Sequence, residues 1–220
     1  MLSATFPQVI THEKMLVNCE AEFDEFVSRM SLLNEKLGPL LFQFPHFDQY
    51  QFNWPEEFLR RLRLFLERAR EMFAAKFAVE IRNKLWLDRR LIELLGEYGV
   101  ALALTDTSFV PRPWERKEKR DLVTADFGYV RWMGDRKGIE KVTTTWDKTV
   151  VDRKGDLRNW VKVIQQLVND KRIRKLFAFA NNHYAGNGPG TVKMFWDLWK
   201  KYVRVPTCLV STSISTRRDL

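Results

Sequence analysis

The residues that could carry out chemistry stand where short apolar segments of the chain end. Glu80 and Asp106 are the carboxylates in such positions, and each could act as an acid–base group or bind a metal ion. Arg82 and Arg131 carry guanidinium forks, which suit a phosphate or a carboxylate. These side chains indicate a site for a small anionic or hydroxylated molecule.

Histidines and neutral polar side chains occupy comparable positions. His12 and His183 are candidate general bases, because imidazole titrates close to neutral pH. The predicted catalytic residues are Glu80, Asp106 and His183, and the predicted binding residues are His12, Gln43, Arg82, Tyr129, Arg131, Asn181 and Asn182. No metal ligands are predicted, since the Cys and His spacing of a zinc site is lacking, and the sequence assigns no cofactor.

Two further segments carry distinctive residue types. Residues 181–190, NNHYAGNGPG, combine three glycines and a proline between a predicted strand and a predicted helix. Such a loop can present backbone N–H groups to an anion, or it can be a plain tight turn. Residues 112–120, RPWERKEKR, mix a tryptophan with basic residues, as nucleic-acid contacts do and as mobile surface loops also do.

The elements that must position these residues alternate between strand and helix. Short, nearly all-apolar strands are predicted near residues 2–6, 40–44, 76–81, 100–105, 127–133 and 176–180. Amphipathic helices are predicted at about 18–37, 58–72, 88–98, 160–168 and from 189 onward. This alternation is typical of a parallel sheet covered by helices. It suits both a closed barrel and an open doubly wound sheet, and in either one the polar strand ends would surround a shared pocket.

Composition limits the class of protein. The 220 residues are 45% hydrophobic and 30% charged, as in an ordinary globular domain. The net charge of +9 makes nucleic acid a possible partner, although acidic residues are interspersed throughout. No apolar run is long enough for a membrane span, and there are only two cysteines, so a cytoplasmic protein is expected.

Six segments together resemble a known family. They are FPQVITHEK at 6–14, GPLLFQFP at 38–45, AVEIRN at 78–83, GVALALTD at 99–106, TADFGYVRWMG at 124–134 and FANNHYAGNGPGT at 179–191. In this order and at this spacing they are similar to the successive motifs of the YecE-like family, domain of unknown function 72. The similarity runs from residue 2 to about residue 203.

The resemblance implies an α/β fold of the (β/α)8 TIM-barrel type. The six predicted strands would correspond to the family's third to eighth strands, so we expect an incomplete barrel of about six βα units that lacks the first two strands. Residues 1–205 would form a single partial barrel domain, followed by a C-terminal tail at 206–220. The family has no firmly established reaction, so the resemblance names no substrate.

Three functions are compatible with these observations. The first is an enzyme, or a protein derived from one, that acts on a small anionic or hydroxylated molecule at the C-terminal mouth of the barrel. The second is a nucleic-acid-binding or repair-associated barrel without catalytic activity of its own. The third is an inactive fragment.

Overall fold

Strands and helices alternate along the chain in the computed structural model, which describes residues 1–52, 54–115 and 122–203. The strands are β1 (Leu2–Thr5), β2 (Leu37–Gln43), β3 (Phe77–Glu80), β4 (Ala101–Thr105), β5 (Phe127–Trp132) and β6 (Lys175–Ala180). The helices are α1 (Glu20–Ser31), α2 (Pro55–Met72), α3 (Arg89–Glu97), α4 (Arg136–Glu140), α5 (Lys154–Asn169), α6 (Asn182–Ala185) and α7 (Gly188–Tyr202). The predicted tail and residues 116–120 of the basic loop lie outside the described residues.

The strands form a six-stranded sheet in chain order, β1-β2-β3-β4-β5-β6. The described pairings β1–β2, β2–β3, β3–β4 and β5–β6 are all parallel. Parallel neighbours require a crossover connection, and helices supply it where a single short turn could not. The near-continuous apolar strands follow from this arrangement, because β2, β3 and β4 are buried along almost their whole length.

The prediction of an incomplete (β/α)8 TIM-type barrel lacking its first two strands is wrong. The fold is α/β, with one all-parallel sheet of six strands in chain order and helices between them. Strand–helix alternation specifies parallel pairing and local connectivity. It does not specify how many strands the sheet contains or whether the sheet closes.

The chain divides into two compact units. The first contains the described residues of 1–103 and 122–126. Its core is built from phenylalanine rings: Phe6 stacks on Phe42 with ring centroids 3.9 Å apart, and Phe65 meets the edge of Phe42 at 5.4 Å. Because successive side chains of a strand alternate between faces, Phe42 on the helix side places Gln43 on the opposite side.

The second unit contains the described residues of 104–115 and 127–203. Trp132 of β5 is its central side chain, lying 6.5 Å from Trp160 of α5 and 4.7 Å from Phe195 of α7 between ring centroids. Trp132 and Trp160 are fully buried. These contacts hold α5 and α7 on one face of the β5–β6 pair, so Tyr129 and Arg131 project from the other face.

Helix starts follow local chemistry. Asp88 caps α3 by accepting a hydrogen bond from the backbone N–H of Leu91, and Pro55 occupies the first turn of α2. None of the helices in the described part of the chain combines the length and the apolar character that a membrane crossing requires.

Candidate functional site

Polar side chains gather at the carboxyl ends of β2 and β3 in the first unit. Gln43 is the last residue of β2 and Glu80 the last residue of β3, and the two are direct partners in the parallel register. Partners in register project from the same side of a sheet. Gln43 donates from its side-chain amide to the carbonyl of Phe44 at 2.7 Å, which fixes it beside the buried Glu80.

Glu80 is the most buried carboxylate in the described part of the chain, with 1% of its surface exposed. The guanidinium Nε of Arg82 lies 3.5 Å from a carboxylate oxygen of Glu80, and the Arg82 side chain is 23% exposed. A buried carboxylate is tolerated when a cation is close. The pair thus joins a buried anion to a cation whose side chain is partly exposed.

The charge of Arg82 acts on His12. It belongs to a π-helical turn, Val9–Glu13, and its Nδ1 is 2.8 Å from the hydroxyl of the buried Thr11. Burial lowers the pKa of His12, the charge of Arg82 lowers it further, and Glu13 opposes both. The imidazole is therefore largely neutral at pH 7 and can accept a proton.

The backbone that follows His12 is strained. Met15, Leu16 and Asn18 adopt left-handed conformations, with φ values of 48°, 65° and 51°. Such conformations cost free energy for residues other than glycine, and they concentrate at functional sites. Lys14 holds the segment by donating to the carbonyl of Asn18 at 2.8 Å. The π-helical turn and the strained segment together fix the position of His12.

Asp106, directly after β4, has a different environment in the second unit. Its carboxylate accepts hydrogen bonds from the backbone N–H groups of Met133 and Gly134, at 2.8 and 3.4 Å, and from the indole N–H of Trp160 at 3.1 Å. Burial raises the pKa of Asp106, while these donors act in the opposite direction. The carboxylate ties the end of β5 to helix α5, and its predicted catalytic role remains a prediction.

Asn181 and His183 are in direct contact after β6. The Asn181 side-chain oxygen accepts from the His183 backbone N–H at 2.9 Å and lies 2.6 Å from His183 Nδ1. On the other side of the imidazole, Nε2 is 3.4 Å from a carboxylate oxygen of Glu140. The Trp146 ring meets the imidazole edge-on at 4.7 Å. His183 is thus held by an amide, a carboxylate and an indole.

The glycine-rich loop uses its own side chains to satisfy its backbone. Asn182 accepts from the N–H of Gly188 at 2.8 Å, and Asn187 accepts from the N–H of Gly190 at 2.6 Å. Asn187 also donates to the carbonyl of Trp146 at 2.7 Å. The N–H groups that the sequence offered to an anion are therefore occupied by Asn182 and Asn187.

Tyr129 and Arg131 share the face of β5 opposite the helices. Tyr129 is buried and packs against Phe179 of β6, with 5.1 Å between ring centroids, and Arg131 is the register partner of Phe179.

The described part of the basic loop makes contacts within its own unit. Arg112 pairs with Asp156 at 3.3 Å, and Trp114 meets the edge of Trp160 at 5.2 Å.

The structure thus groups the predicted residues into local sets. Gln43, Glu80 and Arg82 lie together in the first unit, where the charge of Arg82 also acts on His12, and Asn181 and His183 form a contacting pair in the second. Sequence reasoning missed Glu140 and Trp146, which flank His183, because neither follows an apolar segment. Within the described residues, no group of three or more His, Cys, Asp or Glu side chains is arranged to hold a metal ion.

Comparisons with known proteins agree on one family. A family model described as "Protein of unknown function DUF72" matches residues 2–213. A crystal structure of a DUF72 family protein from Thermotoga maritima is similar with a TM-score of 0.62 and 21% identity, covering 92% of this chain and 73% of that chain. One from Enterococcus faecalis has a TM-score of 0.58 and 14% identity, covering 94% and 75%. No curated protein matches the sequence.

Proposed function

The chain belongs to the DUF72 family, and from this premise we propose that it binds a small anionic or hydroxylated molecule at the carboxyl ends of β2 and β3 and acts on it by acid–base chemistry. The observation that carries the proposal is the buried Glu80 beside the partly exposed Arg82. Functional groups of parallel α/β sheets characteristically lie at this end of the strands.

Each residue of the set has a distinct role in the proposal. Arg82 binds the anionic group through its guanidinium fork, which matches the oxygens of a phosphate or a carboxylate. Glu80 is the acid–base group and orients Arg82. His12, largely neutral at pH 7 because its pKa is lowered, accepts a proton or a hydrogen bond from the ligand. Gln43 offers an amide to a hydroxyl.

Binding of inorganic phosphate, measured by calorimetry, tests the proposal. We expect Arg82→Ala to weaken binding at least tenfold, because a charge-assisted hydrogen bond is lost. Arg89→Ala is the matched control, since Arg89 also pairs with a glutamate but lies on the exposed surface of α3. Equal affinities of the two variants for phosphate, with the fold intact by circular dichroism, would refute the proposed role of Arg82.

The remaining predicted residues belong to the second unit. Within this unit we propose that Arg131 binds an anionic group and that Asn181, Asn182 and His183 hold a ligand. Tyr129 is proposed as a further binding residue, and Asp106 and His183 as acid–base groups. The Asn181–His183 contact supports this role best, because it fixes the orientation of the imidazole. His183→Gln and Asn181→Ala should then weaken the binding of a small hydroxylated anion such as glycerol phosphate, measured by calorimetry against the unaltered protein.

Two finer assignments are part of the same proposal. The motifs at 38–45, 78–83 and 179–191 support placing the chain among the YecE-like members of the family. A cytoplasmic location is supported by the sparse use of cysteine and by Cys19, which is a buried free thiol. Nucleic-acid binding is the competing function, and the described contacts of Arg112 and Trp114 do not favour it.

A further inference from the structure

We infer that Glu140 is a further residue of the acid–base site in the second unit, a positioning residue that acts on Nε2 of His183. In this arrangement Asn181 fixes one proton of the imidazole on Nδ1, which leaves Nε2 as the nitrogen that exchanges protons. The inference rests on the proposed function, in which Asn181 and His183 hold a ligand. It deepens that function by naming the reactive nitrogen and its charged partner.

The proton on Nδ1 follows from the contacts of Asn181. The Asn181 side chain accepts a hydrogen bond from the backbone N–H of His183 at 2.9 Å, and only the carbonyl oxygen of an amide can accept. The same oxygen lies 2.6 Å from Nδ1 of His183. Because a carbonyl oxygen has no proton to donate, Nδ1 carries the proton and donates it to Asn181.

Nε2 of His183 then carries the lone pair of the neutral imidazole. A carboxylate oxygen of Glu140 lies 3.4 Å from Nε2, and the His183 side chain is 17% exposed. A neighbouring carboxylate favours the protonated form of an imidazole. The separation is longer than the roughly 2.7–2.9 Å of a charge-assisted hydrogen bond. Glu140 therefore stabilises a proton on Nε2 without binding that nitrogen in a short hydrogen bond.

Arg136 keeps Glu140 in its ionised form. Its guanidinium Nε donates to a carboxylate oxygen of Glu140 at 2.7 Å, one turn apart on α4. This hydrogen bond is the main reason why the pKa of Glu140 is lowered, and His183 contributes in the same direction. A carboxylate that stays ionised at neutral pH has no proton of its own to give. Glu140 therefore acts on His183 through its charge.

The rest of the imidazole's surroundings hold it in one orientation. Trp146 meets the ring edge-on with 4.7 Å between centroids, and Asn187 fixes Trp146 by donating to its carbonyl at 2.7 Å. A Cβ on Gly134 would lie 2.6 Å from the carbonyl oxygen of His183, so the backbone of this histidine lies against the end of β5. An acid–base group must be positioned in this way to meet the proton that it transfers.

Nitrogen-15 NMR of the imidazole rings tests the inference on the intact chain without a ligand. At a pH where His183 is neutral, we expect its proton on Nδ1. Asn181→Ala should move this proton toward Nε2, whereas Asn181→Asp keeps an acceptor oxygen and should retain the proton on Nδ1. The exposed His46 is the internal reference, since neither substitution should change its signals.

Glu140→Gln tests the role of the carboxylate. We expect His183 to bind its second proton about threefold more weakly in this variant, because the attraction of a partly exposed charge is lost. The pH midpoint of the His183 ring signals measures the change. Glu93→Gln is the matched control: Glu93 pairs with Arg89 in the same i,i+4 arrangement on α3, and its replacement should leave His183 unaffected.

Two results would overturn the inference whether or not a ligand binds. They are a proton on Nε2 of neutral His183 in the unaltered protein, and equal proton binding by His183 in Glu140→Gln and Glu93→Gln. Calorimetry with glycerol phosphate examines the proposed function separately. If glycerol phosphate does not bind but the NMR results are as expected, the proposed function fails in this unit, while Nε2 and Glu140 keep the assignment made here.

Discussion

At the residue scale, the two buried carboxylates at strand ends differ in what surrounds them. Glu80 has a partly exposed guanidinium within 3.5 Å, whereas Asp106 accepts bonds from two backbone N–H groups and the Trp160 indole. Both carboxylates stand at the ends of apolar strands in the sequence, so the same acid–base role is predicted for each of them. Arg82 is close to Glu80 in the sequence, but the partners of Asp106 are distant from it, since Trp160 follows Asp106 by 54 residues, so only the folded chain distinguishes the two environments.

Asp106→Asn tests the structural contribution of this carboxylate. The amide keeps the shape of the side chain but turns an N–H group toward one of its donors, so a buried donor loses its acceptor. We expect the free energy of unfolding to fall by about 1–3 kcal/mol, measured by urea denaturation. Asp126→Asn is the control: Asp126 pairs with Lys76 on the surface, and its replacement should cost less than ~1 kcal/mol.

The same variant has a predicted pH dependence. The pKa of Asp106 is raised in the folded protein, which therefore holds this proton more tightly than the unfolded chain does. The stability contributed by this bound proton is full below the ordinary pKa of 3.8 and is lost as pH rises through the raised pKa. The stability gap between the unaltered protein and Asp106→Asn should shrink from acid toward neutral pH. A gap that widens over that range would contradict the assignment.

At the element scale, the glycine at the end of β5 sets the position of helix α6. Gly134 has a φ of 69°, and a Cβ at this position would lie 2.5 Å from the Cα of Tyr184 and 2.6 Å from the carbonyl oxygen of His183. Both the backbone conformation and the close approach require glycine. The contact brings the segment that carries His183 directly against the end of β5.

Gly134→Ala and Gly99→Ala separate these two requirements. Gly99 has a similar φ of 63°, but a Cβ there would meet no atom within 4 Å. We expect Gly99→Ala to cost about 1–2 kcal/mol of unfolding free energy from backbone strain alone. Gly134→Ala should cost clearly more, because backbone atoms must also move. Urea denaturation midpoints report the loss of unfolding free energy in each variant, and the His183 NMR signals report displacement of the segment that contacts Gly134. Equal losses of unfolding free energy in the two variants would show that the close approach at Gly134 adds nothing to the backbone strain.

Elements with strong patterns were predictable from the sequence, and those without were not. All six strands lie where their apolar segments predict them, including Ala101–Thr105 within the predicted 100–105. Helix α1 ends at Ser31, well before the predicted residue 37, because Asn34 adopts a left-handed φ of 44°. The short α4 was missed, since its five residues contain a single buried side chain, Ile139. The π-helical turn around His12 likewise has no periodic signal.

At the scale of the whole molecule, sequence pattern specified the parallel pairing of strands but not the size or closure of the sheet. Each βα step is a local event governed by apolar runs and turns, so six such steps could be counted along the chain. Closure depends on strand tilt and stagger, to which every strand contributes, and these quantities leave no mark on local periodicity. In the candidate site, too, residues at strand ends were predictable from the sequence and contacts between distant segments were not. Gln43 and Glu80 were predictable as strand-end neighbours, whereas the Glu140 and Trp146 contacts with His183 were not.

The net charge of +9 belongs to the molecule as a whole and gives the last prediction, on the competing nucleic-acid function. Scattered basic residues attract DNA without sequence preference. Such binding weakens steeply as the salt concentration rises. In fluorescence anisotropy with mixed-sequence single-stranded DNA, we expect weak binding at 50 mM salt that is lost by about 200 mM. Arg82→Ala should change it less than twofold, in contrast to its effect on phosphate.

The basic loop supplies the matched comparison for that measurement. Lys117→Gln with Lys119→Gln removes two charges from the loop, and Lys200→Gln with Lys201→Gln removes two from the exposed end of α7. If attraction is a property of total charge, both pairs weaken DNA binding equally, because each removes the same charge from the molecule. A much larger loss from the loop pair, or binding that persists at high salt and prefers one sequence, would mark the loop as a dedicated nucleic-acid contact.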